Sequence, residues 1–221
     1  MSDPRQDDPI PKTLTGIRDL YSGNLAAHGL SSKSVGWKDE SSQLLRFDRL
    51  ARVIDEGDGA AAGFAVNDWG CGYGAMFRYL DQRFGGRMRG YTGYDISPEM
   101  LAAAAAAIAS SRVRLVLGAD ATEEADYSFV SGTFNVKLEA ADTDWDRYVK
   151  EQLTRLYARS RRGLAFNLLT SHVDWRQDNL FYAHPGEFFD FCKRSLSRYV
   201  TLIHDSALYE WTMLVHREPR G

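Results

Sequence analysis

Three glycines spaced by two, Gly70, Gly72 and Gly74, close the run Phe64-Ala-Val-Asn-Asp-Trp69. About twenty residues later, where a nucleotide-binding fold carries its ribose-binding acid, stand Tyr94-Asp95-Ile96. A buried strand, a tight glycine turn, a helix and a second strand ending in a carboxylate form a nucleoside-binding half-site. The spacing G-x-G-x-G narrows the ligand. A dinucleotide fold puts its third glycine one position later, where this chain has Ala75, to pack a helix start against a pyrophosphate. Here the turn suits a nucleoside without phosphates, lying against bare main chain. Gly70 and Gly72 let the backbone approach parts of a ligand that any side chain would obstruct. Asp95 offers two acceptor oxygens to a pair of ribose hydroxyls.

Together with Gly118-Ala-Asp120-Ala121 further on, these segments resemble the class I S-adenosylmethionine-dependent methyltransferases over roughly residues 40 to 217. The resemblance implies S-adenosylmethionine as cofactor and S-adenosylhomocysteine as product. It also assigns roles. Asp68 would orient the cofactor ammonium, Asp95 would hold the ribose, and Ile96 and Met100 would sandwich the adenine. Asp120 would accept from the adenine amino group, with the Ala121 N–H meeting a ring nitrogen. Upstream, Trp37 and Ser41-Ser-Gln43-Leu-Leu-Arg46-Phe47 are similar to the entry segment of small bacterial members, in which an arginine pairs with the cofactor carboxylate. Arg46 is the candidate, because a guanidinium suits bidentate pairing. Gln43 stands nearby, and Trp37 would form part of a lid. Cys71, inside the glycine turn, counts with Gly70 and Gly72 among the residues expected to bind the cofactor, and its side chain reads as packing and not as a nucleophile.

The implied reaction is in-line transfer of a methyl group from a sulfonium. The protein mainly has to align the reactants and exclude water, and a base is needed only if the acceptor must lose a proton. The Asn/Asp-Pro-Pro-Tyr/Phe motif of many amino-group methyltransferases is absent; Thr133-Phe-Asn-Val-Lys137 stands in its place. The segment after the fifth expected strand, residues 170 to 185, is rich in aromatic, histidine and acidic residues and reads as a substrate wall. His172 is the first candidate for a base, followed by Tyr182 and His184. The substrate expected is a small molecule, acted on at oxygen or nitrogen. Two other readings are a protein or nucleic-acid methyltransferase and a regulatory partner that binds the cofactor without turnover.

The elements that must hold these residues alternate strand and helix, as in a doubly wound α/β sheet. Strands are expected near 64–69, 90–95, 113–117, 127–134, 163–169, 198–204 and 208–216. Helices are expected near 74–84, 98–110, 144–161 and 186–195. Ser97 followed by Pro98 marks a helix start. Only Asp205-Ser-Ala207 joins the last two strands, too few residues for a crossover, so they must run antiparallel. The expectation is a Rossmann-like sheet of seven strands, mostly parallel, ending in an antiparallel hairpin. Residues 1–11, with three of the six prolines, read as a disordered leader. Residues 12–58 read as N-terminal helices covering the site, and 59–221 as the core domain. Within the cover, Leu14, Ile17, Leu20, Tyr21 and Leu25 share a helical spacing, and a second helix starts near Ser41 or Ser42. Asn67 requires a buried hydrogen-bond partner that the sequence does not identify, and Trp69 should pack beneath the sheet.

Bulk composition limits the alternatives. A chain of 221 residues is long enough for one good core. A net charge of −3 argues against a nucleic-acid partner, which needs a basic surplus. No apolar run is long enough to span a bilayer, and the first residues do not read as a signal peptide, so no membrane partner is expected. Two cysteines, Cys71 and Cys192, fit a reduced cytoplasmic enzyme, and neither has a partner at metal-ligand spacing.

Overall fold

The computed structural model describes residues 10–55 and 63–219. Helix α1 (Ile10–His28) and a short 3-10 turn (Ser32–Val35) precede α2 (Glu40–Ala51). The core then runs β1 (Phe64–Trp69), α3 (Ala75–Phe84), β2 (Met88–Asp95), α4 (Pro98–Ala107), β3 (Val113–Leu117) and β4 (Ala125–Val130). It continues through α5 (Asp142–Ala158), β5 (Ser160–Thr170), β6 (Tyr182–Ala183), α6 (Pro185–Phe191), β7 (Tyr199–Ile203) and β8 (Glu210–His216).

The strands lie in the order β3-β2-β1-β4-β5-β8-β7, with β6 added beside β5. β1 to β5 run parallel, β8 is antiparallel to β5, and β7 is antiparallel to β8. The short Asp205 connection therefore makes the expected antiparallel hairpin. Among the described residues the sheet has eight strands and not seven, because the two residues Tyr182 and Ala183 pair with Leu169 and Thr170. So short a strand carries no alternation that a sequence pattern could show.

Side chains alternate across the sheet. Phe64, Val66, Tyr127 and Phe129 face one layer with α2 and α3, whereas Trp69, Val130, Leu164 and Phe166 face the other with α1 and α5. Both faces are covered, as a parallel sheet requires. Helix ends differ from expectation where two residues compete. α2 is capped by Asp39, whose carboxylate accepts from the Ser42 N–H at 2.8 Å, and not by Ser41 or Ser42. An Asp and a Ser are comparable caps, so the choice falls to the residue that starts the turn. Ile10 and Pro11, expected in the leader, already belong to α1, and Ile10 is buried; the rest of that expected leader lies outside the described residues.

Asn67 finds its partner in the main chain. Its Nδ2 donates to the Glu123 carbonyl at 2.8 Å. Trp69 is buried, and its Nε1 donates to the Ala119 carbonyl at 2.8 Å, which ties the tip of β1 to the segment after β3.

Candidate functional site

The strand order reverses between β1 and β4, and ligands of open α/β sheets bind outside the carboxyl ends of the strands at such a point. The glycine turn sits there. Gly70 and Cys71 donate to the Tyr94 carbonyl at 2.8 and 2.9 Å, which holds the turn against β2. Gly70 has φ +77°, and a Cβ there would overlap the Thr133 side chain. Asp95 closes the arrangement. Its Oδ2 accepts from the Gly72 N–H and its Oδ1 from the Ser97 N–H, each at 2.9 Å. Ser97 in turn caps α4 by accepting from the Met100 N–H at 3.1 Å. Each oxygen of Asp95 keeps acceptor capacity for a further donor. Burial pushes its carboxyl above the ordinary range, while the main-chain donors oppose that rise.

A cavity opens over this turn. Asp95, Ile96, Met100, Gly118 and Ala119 form one wall, and Ser131 to Phe134 with Trp145 and Tyr148 form another. Leu14, Ile17 and Tyr21 of α1 cover it. Two features near the middle of α1 fit the cover to the core. Ser22 Oγ donates to Glu99 Oε2 at 2.9 Å, and Gly16 leaves room for the Leu138 side chain. A smaller recess continues from the same glycines past Val35 to Trp37, Gln43, Asp68 and Tyr73.

Asp68 is buried at the floor of that recess and accepts a short hydrogen bond from the Tyr91 hydroxyl. Burial pushes its carboxyl up to about 7; the Tyr91 bond pulls it down and the nearby Asp95 pushes it further up. Cys71 has its thiol raised well above the ordinary value, by burial first and then by Asp68 and Asp95, so it remains protonated and packs. Tyr21, over the cavity, is pushed up to about 12 by burial and by Asp95.

Arg46 differs from its expected role. It is 8% exposed, and Glu210 at the start of β8 takes its Nε and Nη2, with distances of 2.6 to 2.9 Å. Glu210 also accepts from Asn167 Nδ2 at 2.6 Å, and Asn167 Oδ1 accepts from the Gly132 N–H at 2.8 Å. Trp37 stacks on the Arg46 guanidinium at 3.8 Å and lies so close to Gly132 that no Cβ fits there. A bidentate grip on a ligand carboxylate is therefore already used within the protein. What remains is Arg46 Nη1, buried and without a hydrogen-bond partner among the described residues, as is Ser131 Oγ in the wall shared by cavity and recess.

Other expected residues fall outside the cavity walls. Asp120 is an exposed side chain paired with Arg155 at 3.3 Å; Gly118 and Ala119 line the cavity in its stead, and Ala121 packs behind them. His172, Tyr182 and His184 do not line the cavity either. Lys137 and Leu138 donate to the Asn179 carbonyl at 2.9 and 3.1 Å, and Phe181 donates to the Asn135 carbonyl at 2.9 Å. This stitching lays the 171–181 segment along the loop after β4, outside the cavity. His172 and His184 are exposed with ring centroids 5.5 Å apart, and His204 lies 6.0 Å from His172. Among the described residues no group of three or more His, Cys, Asp or Glu side chains is arranged to hold a metal. Tyr21, Ser131, Trp145 and Tyr148 were not singled out as cavity residues by the sequence. Trp145 and Tyr148 carry the spacing of an ordinary buried helix face, which hides a ligand-facing role.

The geometry agrees with known proteins. Residues 66–163 match the family described as Methyltransferase domain. A Mycobacterium tuberculosis protein named "Putative methyltransferase Rv1506c" is 47% identical over 161 residues, which is 72% of this chain and 96% of that protein. Among solved structures, magnesium protoporphyrin IX methyltransferase (ChlM) from Synechocystis PCC 6803 with bound SAM superposes with a TM-score of 0.61 at 13% identity, covering 93% of this chain and 97% of its own. A DhpI-SAH complex gives a TM-score of 0.60 at 16% identity, covering 97% and 98%. These structural likenesses concern the fold.

Proposed function

The chain belongs to the class I S-adenosylmethionine-dependent methyltransferases, and we propose that it methylates a small-molecule acceptor at oxygen or nitrogen inside the cavity under α1. One observation carries the reading of the site: Asp95, at the tip of β2, is held by the Gly72 and Ser97 N–H groups with acceptor capacity left over the glycine turn. The fit of a cofactor is tested by a group that the protein leaves unsatisfied. Ser131 Oγ, in the wall of both cavity and recess, is buried without a partner among the described residues, and buried polar groups in native proteins are seldom left so.

In this reading Asp95 takes the ribose diol, and Ile96 and Met100 flank the base. Asp68 and Gln43 face the amino end of the cofactor tail, and Arg46 contributes Nη1 alone to its carboxylate. When bound, S-adenosylmethionine supplies a methyl group on a sulfonium that leaves as a neutral thioether. The protein aligns the acceptor in line with that bond and keeps water out, a contribution of positioning. Leu14, Ile17 and Tyr21 serve the second task by roofing the cavity. Among the described residues no lysine, arginine or histidine lines it; Asp95 is engaged by the ribose in this reading, so Tyr21, Ser131 and Thr133 are the wall hydroxyls left to relay a proton from an acceptor that must lose one.

The roof supports a small acceptor over a macromolecular one. Incubation with methyl-labelled S-adenosylmethionine and separate pools of metabolites, proteins and RNA tests this. Label should appear in the metabolite pool. Label confined to a macromolecular pool contradicts the acceptor class, and binding of S-adenosylhomocysteine without any transfer would instead support a regulatory partner.

A further inference from the structure

Tyr148 lies in α5, is 7% exposed, and forms part of the cavity wall. Its hydroxyl is buried and has no hydrogen-bond partner among the described residues. Such groups are rare in native proteins, and something the cavity holds would supply the missing bond. The rest of its ring is well fixed, with Trp145 at 5.1 Å and Phe134 edge-on at 6.2 Å between centroids.

The helix face that carries Tyr148 shows which end of the cavity it serves. Arg155 lies two turns further along the same face, and it pairs with Asp120 at 3.3 Å. That face therefore abuts the segment after β3, whose Gly118 and Ala119 line the cavity. With a ribose on Asp95 and a base beside Ile96 and Met100, the far edge of the base points to that segment and so to Tyr148. Burial and the Asp120 carboxylate raise the phenol above its ordinary value, which keeps the O–H in place. A neutral phenol oxygen accepts a hydrogen bond from an exocyclic amine.

We propose that the Tyr148 hydroxyl, and not the Asp120 carboxylate, is the hydrogen-bond partner of the adenine amino edge, which makes it a specificity-determining residue for the adenosyl group. This assignment rests on the reading of the cavity as an S-adenosylmethionine site.

Calorimetry on wild type, Tyr148→Phe and Asp120→Ala tests it with two ligands: S-adenosylhomocysteine and its counterpart carrying hydrogen in place of the purine amino group. Tyr148→Phe should bind S-adenosylhomocysteine about three- to tenfold more weakly, the size of one net hydrogen bond, and the deaminated counterpart nearly as wild type does. Asp120→Ala should bind both as wild type does. The thermal midpoint of ligand-free Tyr148→Phe should equal or exceed that of wild type, because the hydroxyl has no partner to lose. Unchanged affinity for S-adenosylhomocysteine, or equal loss for both ligands, overturns the assignment while leaving the cofactor site intact. Failure of wild type to bind either ligand overturns the cofactor reading itself, and the assignment with it.

Discussion

β2 and β3 are parallel neighbours, and an aspartate stands at or just beyond the tip of each. Asp95 is fixed by two main-chain N–H groups and faces the cavity, whereas the Asp120 side chain is 70% exposed and pairs with Arg155. Position at the carboxyl edge brings a residue to the right side of the sheet. Donors from the turn beneath it and cover from the helix above make it part of the site. Two arginines repeat the contrast. Arg46 is enclosed with Glu210 and Asn167 under Trp37, while Arg155 meets Asp120 in solvent. Exposed pairs of the second kind contribute about 0–1 kcal/mol, whereas breaking an enclosed one leaves a charge stranded.

The largest effect is expected where the enclosed pair is broken. Glu210→Ala should lower stability by about 3–5 kcal/mol in urea unfolding, because the Arg46 guanidinium is left buried without its counter-ion. A loss under about 1 kcal/mol would put this pair in the same class as Arg155 and Asp120. Next comes Asp95→Ala, which should weaken S-adenosylhomocysteine binding by about 1–3 kcal/mol through loss of charge-assisted bonds to the ribose. Asp120→Ala should change that affinity by well under 1 kcal/mol, as expected for an exposed ion pair. Equal losses would erase the contrast between the two strand tips.

Asp68 allows a finer test through pH. Its folded value of about 7 lies above the ordinary 3.8, so the folded protein holds a proton that the unfolded chain releases. The associated stability is full below about pH 4 and is lost as pH rises through 7. A ligand ammonium favours the carboxylate form, so affinity for S-adenosylhomocysteine should rise between pH 6 and pH 8, by at most about tenfold per unit for one proton. Asp68→Asn should flatten both trends, leaving the contribution of Asp95, whose shift has the same sign. Persistence of the full pH dependence in Asp68→Asn would remove Asp68 from the recess chemistry. The smallest effect is expected outside the cavity. His172→Ala should leave turnover within about twofold of wild type, as for a surface substitution remote from the site. A large loss of turnover would bring the 171–181 segment back to the acceptor.

What the sequence could reveal follows the range of the interactions. The Ser97 cap of α4 and the antiparallel hairpin are set by neighbours close in sequence, the glycine turn announces itself by its spacing, and each appears where the residues indicate. Arg46 and Glu210 are 164 residues apart, Asn67 and Glu123 are 56 apart, and neither pairing leaves a local trace. The place of Asp120 after β3 points to the site, but its exposed carboxylate pairs with Arg155 on a separate helix. Tyr148 remained hidden for the opposite reason: its spacing with Trp145 and Val149 looks like plain core, and only the unsatisfied hydroxyl distinguishes it.

The most direct measurement is a crystal structure of the protein with S-adenosylhomocysteine. The account predicts both ribose hydroxyls within hydrogen-bond distance of the Asp95 carboxylate and the base between Ile96 and Met100. A nucleoside bound elsewhere, or a ribose turned away from Asp95, would contradict it.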